Sequence, residues 1–419
     1  MSKIISRLME KGVSIPAPQS VEIGAEISVN RISGKDVVIH AGCKIFGAKT
    51  LILPGAILGY EAPMTINNCR IGTHVELRGG FFEEAVFLGK NQVGSGAHIR
   101  GGTIFEEEAN AAHTVGLKQT ILFPFVTLGS LINFCDCFMA GGTSRKDHSE
   151  VGSAYIHFNY TPNQDKATPS LLGDVSRGVM LDQPPIFLGG QGGLVGPCRI
   201  DFGNIIAAGS IFRKDVETAG NLLIGASGRG GRVPFSRHVY PNIKRIFINN
   251  IFYIANLLAL MQWYRHVRFK FISEVFPLPL YEGLLNNLDI IIGERIRRLD
   301  DLISRLPASM AVLRPAQKKE ASPSANIRWH TALIENRGIL IDLLNRMRES
   351  TVGDERLRDR FTRDLLPVVN ANGAAAAYIS TITALESEIK EAGRTWLASI
   401  VEQVRRDIMG SLPLPVASG

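Results

Sequence analysis

Three histidines in the middle of the chain are candidates for proton transfer. His113 lies in the polar, alanine-rich stretch FEEEANAAHT at 105–114, His148 lies in GGTSRKDHSE at 141–150, and His157 lies in a strand position shortly afterwards. The ordinary pKa of histidine is close to neutral, so this side chain suits a general base that accepts a proton during catalysis. The alternative for each of them is an ordinary loop or surface histidine.

A metal centre is a second possible use of such residues. Cys135, Asp136 and Cys137 are consecutive and could chelate a metal, but no second pair of ligands follows at a suitable spacing. A zinc enzyme of the carbonic anhydrase type would need closely spaced histidines, and no His-x4-His pair occurs. The 5 cysteines are scattered and odd in number, which does not suit a disulfide framework. We therefore expect no metal site.

A six-residue period is the pattern that must position these side chains. Between Val151 and Val216, words of six residues that start with an apolar side chain begin at Leu188, Leu194, Ile200, Ile206 and Phe212. This period fits neither an α-helix nor one long strand, and it is typical of a parallel β-helix in which each word supplies a strand and a corner. Similar words begin at Ile23 and are interrupted by polar excursions at 105–114, 141–150 and 160–170, where function would concentrate.

Four segments make this region resemble a known family: Val151–Ala154, Phe158–Tyr160, Leu194–Pro197 and Ile206–Val216. The family is the bacterial bifunctional UDP-N-acetylglucosamine pyrophosphorylase/glucosamine-1-phosphate N-acetyltransferase, and the similarity is to its acetyltransferase half, a hexapeptide-repeat transferase. The resemblance implies a left-handed parallel β-helix, an exception to the usual right-handed crossover. Residues 13–25 resemble the join between the two halves of the family, so we expect this chain to lack the pyrophosphorylase domain.

The resemblance also implies acetyl transfer from acetyl coenzyme A to a sugar amine, with a histidine as general base. His113 is the candidate base, and the alternatives are His148 and Asp136, which occupies the ungapped position of the family's histidine. The other residues that the resemblance implies are Asn159, Tyr160, Ser153, Gly190, Ala208 and Arg232 at the coenzyme and Lys166 at the substrate phosphate.

One part of the family pattern is displaced. The family clamps the sugar phosphate with an arginine and a lysine in the coils before its histidine, whereas counting back from His113 reaches Glu83 and Gly101. Arg78 and Arg100 are nearby but out of register. The acyl acceptor, a sugar amine or a sugar nucleotide, is therefore left open.

From Tyr240 the apolar period becomes helical, which predicts a helical domain over 236–419 after a β-helix domain over 1–235. Helices are predicted near 240–272, 281–306, 327–350, 354–366 and 374–409, with a linker at 307–326. The apolar stretch Ile243–Tyr264 is long enough to span a membrane, but four polar residues interrupt it: Asn249, Asn250, Asn256 and Gln262. We therefore predict a buried helix and no transmembrane span.

The composition bounds the partners and the compartment. The net charge of +7 is spread along the chain, which suits an anionic ligand or an ordinary basic surface, and no basic run with interleaved aromatic residues indicates nucleic acid. The first twelve residues lack the apolar run of a signal peptide, so we expect a cytoplasmic protein. The resemblance implies a homotrimer with its coils side by side, for which the candidate outward-facing apolar residues are Phe81, Phe82, Phe123 and Phe125.

Two functions from different classes follow from these patterns. The first is a coenzyme-A-dependent acyltransferase, and the intact coenzyme-side segments favour it. The alternative is a non-catalytic β-helix that scaffolds an assembly through its helical half, which the displaced phosphate clamp and histidine favour.

Overall fold

The computed structural model describes residues 2–225, 235–316, 324–371 and 377–414. Within these ranges the chain forms a parallel β-solenoid of about 11 turns, followed by a helical region. This architecture confirms the predicted fold class, a β-helix followed by an α-helical region. We call residues 13–225 the solenoid and residues 235–414 the helical region.

Three parallel sheets form the sides of the solenoid, and successive strands visit sheets A, B and C in turn. Sheet A contains the strands Val38–Ile39, Ile57–Leu58, Glu76–Leu77, Gln92–Val93, Asn110–Ala111, Thr127–Leu128, Glu150–Val151, Phe187–Leu188, Ile205–Ile206 and Leu222–Leu223. Sheet B contains Glu22–Ile23, Lys44–Phe46, Met64–Asn67, Gly80–Glu83, Ala97–Ile99, Gly116–Lys118, Asn133–Cys135, Ile156–Phe158, Gly193–Val195 and Ile211–Phe212. Sheet C contains Leu51–Ile52, Arg70–Thr73, Ala85–Gly89, Thr103–Phe105, Ile121–Leu122, Cys137–Met139, Ser170–Leu172 and Cys198–Ile200.

A ladder of apolar side chains from each sheet fills the interior. In sheet B the ladder passes through Ile45, Ile66, Phe82, Ile99, Leu117 and Phe134, all with 0% exposure. Because side chains alternate along a strand, the neighbours of these residues point outward. The six-residue period is therefore the spacing between one inward-pointing residue and the next around the coil.

This ladder corrects the apolar patch that was predicted to face outward. Phe82, Phe123 and Phe125 are buried, with exposures of 0%, 1% and 3%. Phe82 is an inward ladder residue, and the ring of Phe123 packs against that of Phe138 at 4.7 Å. Phe81 remains partly exposed and stacks on His98. The exposed large apolar side chains that lie within strands are on later coils: Ile156, Phe158 and Ile211 on sheet B, and Phe187, Ile205 and Leu222 on sheet A.

Helix α1 (Lys3–Glu10) precedes the first strand, and the single-turn helix α2 (Val175–Gly178) follows a sheet C strand. The helices of the helical region are α3 (Ile243–His266), α4 (Leu278–Ser304), α5 (Leu306–Ala316), α6 (Ala325–Glu335), α7 (Arg337–Glu349), α8 (Glu355–Ala371), α9 (Tyr378–Thr383) and α10 (Ser387–Gly410). Short 3-10 turns occupy Pro18–Ser20, Val29–Arg31 and Arg268–Phe271. The linker predicted at 307–326 is wrong for its first part, because α5 lies there.

The helical region covers sheet C. Helix α4 packs on three of its strands, Arg70–Thr73, Ala85–Gly89 and Thr103–Phe105, and α3 packs on a fourth, Ser170–Leu172. These strands are therefore buried on both faces, whereas strands of sheets A and B keep exposed side chains on their outer faces.

Polar side chains join α3 to the solenoid. Asn249 donates to the carboxylate of Asp215 at 3.0 Å, Asn250 donates to the carbonyl of Ala167 at 3.0 Å, and Asn256 accepts from the backbone N–H of Val175 at 2.9 Å. Within the described ranges one helical stretch, Ile243–Phe271, is long and apolar enough to cross a membrane, and 83% of its apolar window is buried inside the protein. The polar residues that interrupt the stretch thus have partners within the protein.

Candidate functional site

The three candidate bases lie on three different edges of the solenoid. His113 lies at the corner between sheets A and B, which we call the A/B edge, after the strand Asn110–Ala111. Asp136 lies at the corner between sheets B and C, the B/C edge. His148 belongs to an antiparallel hairpin that leaves the solenoid between sheets C and A, the C/A edge. One small ligand bound to a single chain therefore cannot contact all three.

The A/B edge carries His113 together with the predicted coenzyme-groove residues. The imidazole Nδ1 of His113 is hydrogen-bonded to Ser130 Oγ at 2.9 Å, and the backbone N–H of Ser130 donates to Ser153 Oγ at 3.2 Å. Gly190 and Ala208 occupy the corresponding corners of the next coils. A Cβ atom added to Gly190 would lie 2.9 Å from the carbonyl oxygen of Ser153, so the coils approach closely here. The structure thus brings four predicted site residues onto one edge.

The B/C edge carries four more of the predicted residues. Asp136, Asn159, Tyr160 and Lys166 line one cavity of about 240 Å³. The amide of Asn159 donates to a carboxylate oxygen of Asp136 at 3.3 Å. Asn159 and Tyr160 are therefore on a different edge from His113 and Ala208 in the same chain.

Two further cations line this cavity: Arg100, which the sequence analysis left out of register, and Lys118, which it missed. Arg100 and Lys118 stand at the same position of consecutive coils, and Lys118 pairs in register with Cys135 of the next coil. Both side chains line the cavity beside Lys166. Arg100 and Lys118 are 18 residues apart, which is one coil of three six-residue words, and this spacing could have predicted that they lie side by side. Counting back from His113 did not reveal it.

The three cations are free of carboxylate partners within the described part of the chain, since no ion pair involving Arg100, Lys118 or Lys166 occurs there. The thiol of Cys135 lines the same cavity. Burial raises the pKa of that thiol, as does Asp136, whereas the three cations lower it. The cavity therefore has the charge expected of a site for an anion.

Asp136 is not a free proton acceptor. Its carboxylate pairs with the guanidinium of Arg295 from α4 at 2.8 Å, and the two side chains are 5% and 1% exposed. Asp136 also has a left-handed backbone, with φ of 61°, which turns the chain at the corner. One carboxylate oxygen is engaged by Arg295 and the other by the amide of Asn159, so this group is not presented to a substrate as a free base.

The two remaining histidines do not join either cluster. The hairpin that carries His148 is held at the C/A edge by Arg145, which donates to the carbonyls of Glu108 and Phe125 at 3.0 and 2.7 Å. His157 takes the inward position after Phe134 in the sheet B ladder, and its Nε2 is bonded to Ser170 Oγ at 2.8 Å. Burial lowers the pKa of His157 to about 4, so it is a neutral core residue at pH 7.

The last predicted coenzyme residue, Arg232, lies outside the described residues. Among the residues that the structure does describe, no group of three or more His, Cys, Asp or Glu side chains is placed to hold a metal ion. All five cysteines are buried as free thiols.

No protein-family model matches the chain. The chain is similar to curated proteins named bifunctional protein GlmU. The GlmU of Pelobacter propionicus is 27% identical over 218 residues, which are 52% of this chain and 42% of the relative. That of Thermotoga petrophila is 28% identical over 213 residues, 51% of this chain and 42% of the relative. A solved structure of LpxA from Acinetobacter baumannii, 14% identical with a TM-score of 0.20, covers 67% of this chain and 95% of its own.

The matched part is thus less than half of the length of these GlmU relatives. GlmU homologues cover about 50% of this chain, and the solenoid of parallel strands fits the acetyltransferase half of that family. The resemblance predicted from the sequence is confirmed at this level.

Proposed function

We propose that this protein is a coenzyme-A-dependent acyltransferase of the hexapeptide type, and that its acceptor is an anionic sugar amine or sugar nucleotide. The observation that carries the proposal is the set of three cations, Arg100, Lys118 and Lys166, which line one cavity without carboxylate partners among the described residues. Free cations of this kind suit phosphate oxygens. The GlmU relatives support an acyltransferase-type function.

The acceptor would lie across the outer face of sheet B. His98, Gly116 and Asn133 are cross-strand neighbours on this face, and Gly116 leaves a gap in the row because it has no side chain. His113 precedes the strand Gly116–Lys118, which ends at Lys118, so the Cα atoms of His113 and Lys118 are at most about 18 Å apart. An imidazole, an amino sugar phosphate and a lysine side chain are together long enough to bridge such a span.

In this arrangement His113 is the general base. If Nδ1–H donates to Ser130 Oγ, the lone pair of Nε2 is free to accept a proton. The amine of the sugar attacks the thioester carbonyl of acetyl coenzyme A and loses its proton to Nε2. The carbon–sulfur bond breaks, the thiolate leaves, and the imidazolium returns the proton to that thiolate.

The coenzyme would lie along the A/B edge beside Ser153, Gly190 and Ala208. Asn159 and Tyr160 would reach it from a neighbouring copy, because they lie on the B/C edge of their own chain. This requires a side-by-side homotrimer in which the A/B edge of one copy lies against the B/C edge of the next, and we place the protein in the cytoplasm. The exposed apolar residues of sheet B, which spans these two edges, support such a contact: Ile156, Phe158 and Ile211.

A second function has one specific observation in its favour. The position that aligns with the family's histidine without gaps is Asp136, and Arg295 holds it in a buried ion pair. A solenoid that has exchanged its base for a structural ion pair would act as a non-catalytic scaffold, with the helical region as its interaction surface.

Titration of the full chain separates the two functions. We expect calorimetry to detect binding of acetyl coenzyme A and of glucosamine 1-phosphate, the latter weakened about 10-fold or more by Lys118→Ala because a charge-assisted hydrogen bond is lost. Lys44→Ala is the matched control, since Lys44 lies on the same sheet several coils earlier and is 57% exposed. An unmodified protein that binds neither ligand would favour the scaffold.

A further inference from the structure

The loop at 159–169, which we call the ligand loop, leaves the solenoid between the strands Ile156–Phe158 and Ser170–Leu172. It carries Asn159, Tyr160 and Lys166, and Lys166 has a left-handed backbone with φ of 53°. A lysine does not readily adopt this conformation, so the surrounding contacts must hold the loop in place.

The helical region supplies many of those contacts. Arg305 donates to the carbonyl of Asn163, and Tyr240 donates through its hydroxyl to Asp165 at 3.0 Å. Asn250 of α3 donates to the carbonyl of Ala167 at 3.0 Å. The ligand loop is thus anchored to the helical region at several points along its length.

Arg295 of α4 connects this anchoring to the cation cavity. One guanidinium nitrogen donates to the carbonyl of Lys166 at 3.3 Å, and another contacts Gln119 Oε1 at 3.1 Å and Asp136 Oδ1 at 2.8 Å. Arg295 is 1% exposed. It therefore touches the backbone that positions one cation of the site and neutralises Asp136, one of two carboxylates that line the same cavity. The other, Glu294, pairs with Arg297 and Arg298.

We propose that Arg295 is a positioning residue for an anion-binding site that only the helical region completes. By holding Asp136 it keeps that carboxylate from competing with the anion for Arg100, Lys118 and Lys166, and by holding the carbonyl of Lys166 it fixes the ligand loop. The inference rests on the proposed function in one respect, namely that the cavity binds a phosphate-bearing ligand. It gives the helical region a role inside the site.

The loss of Arg295 has a defined electrostatic consequence. Without its partner, the Asp136 carboxylate becomes an uncompensated negative charge on the wall of the cavity, beside Arg100, Lys118 and Lys166, and it draws these three cations toward itself. An incoming phosphate then meets a cavity with less positive charge. Removing the Asp136 charge as well should reverse the effect, because Asn at this position cannot compete for the cations.

The experiment measures binding of glucosamine 1-phosphate and of inorganic phosphate to the full chain by calorimetry. We expect Arg295→Met to weaken both about 10-fold or more, and Arg295→Met/Asp136→Asn to recover most of that loss. Arg348→Met is the matched control. Arg348 belongs to α7 and pairs with Asp289 of α4, so the substitution removes an ion pair of α4 that lies outside the cavity. Circular dichroism and the melting temperature of every variant establish that it is folded.

Each outcome has a distinct meaning. If the unmodified protein binds the probes and Arg295→Met binds them equally well, the positioning role is wrong and the proposed function stands. If both variants fold and the double variant binds as weakly as Arg295→Met, Asp136 does not compete for the cations. The same conclusion follows if Arg295→Met does not fold, and the double variant folds but does not bind the probes. If the unmodified protein binds neither probe, the anion site and the proposed function fail together.

Discussion

A buried carboxyl group at the C/A edge gives a quantitative test of how the helical region is joined to the solenoid. Glu106 is 2% exposed and accepts a hydrogen bond from the hydroxyl of Tyr264 in α3 at 2.5 Å. Beside it, Arg268 pairs with Glu107 at 2.5 Å and lies over the ring of Tyr378 at 3.8 Å. Burial raises the pKa of Glu106 to about 7, in spite of the opposing effect of Arg268.

The direction of the pH dependence follows from this shift. The folded protein holds the Glu106 proton up to about pH 7, whereas the unfolded chain releases it near its ordinary pKa of 4.5. The contribution of this group to stability is therefore fully present below that ordinary value and is lost as the pH rises through about 7. Between about pH 5.5 and about pH 7.5 the loss amounts to roughly 2 kcal/mol of unfolding free energy.

Glu106→Gln keeps the size of the side chain and an acceptor for Tyr264, but it cannot ionise. We expect the unfolding free energy of the variant, relative to that of the unmodified protein, to rise by about 2 kcal/mol over the same pH interval. Urea unfolding can be followed by tryptophan fluorescence, because Trp263 is buried in the same junction and donates to Tyr378 at 3.0 Å. Glu150→Gln, at an exposed position of sheet A, is the control.

A constant difference between Glu106→Gln and the unmodified protein across this interval would refute the reasoning. It would mean that Glu106 is already ionised in the folded protein at low pH, with Arg268 outweighing the effect of burial. The Glu150→Gln control guards against a pH effect that any lost carboxylate on the solenoid would produce.

The remaining predictions concern the proposed active site. We expect His113→Ala to lower acyl transfer by roughly 10²–10⁴-fold and His148→Ala, on another edge, to leave it unchanged; the reverse pattern in a turnover assay would move the base to the hairpin. Ala208→Trp should block coenzyme A binding in calorimetry while preserving the circular dichroism spectrum, because Ala208 is exposed at a corner; retained binding would place the coenzyme elsewhere. Light scattering at micromolar concentration should give the mass of a trimer, and a monomer would contradict the side-by-side arrangement.

The sequence by itself determined the coils. A β-helix repeats one local unit, and an apolar residue every six positions is enough to specify which side chain points inward at each step. The same local logic placed Ser153, Gly190 and Ala208 together. Two excursions lie between them, the ligand loop and the segment that contains α2, but after each one the chain returns to the next sheet in order.

Only the tertiary structure decided which edge each polar residue occupies. One coil consists of three words, one for each sheet, so the edge on which a residue lies depends on its place within the group of three. The hairpin at Gly142–His148 adds residues without adding a strand to the three sheets. His113 lies at the A/B edge, whereas Arg100 and Lys118 lie at the B/C edge. Counting back from His113 therefore left Arg100 out of register and missed Lys118, although the spacing of these two cations was visible in the sequence.

The structure also decided what the polar residues of the helical region do. Asn250 and Arg295 are far from the solenoid in sequence, and nothing in a helical period indicates that their partners are the carbonyls of Ala167 and Lys166. The ion pair between Arg295 and Asp136 also depends on tertiary packing. A buried charge is tolerated only where a partner reaches it. Here the packing of α4 on sheet C, rather than any local sequence pattern, brings Arg295 to Asp136.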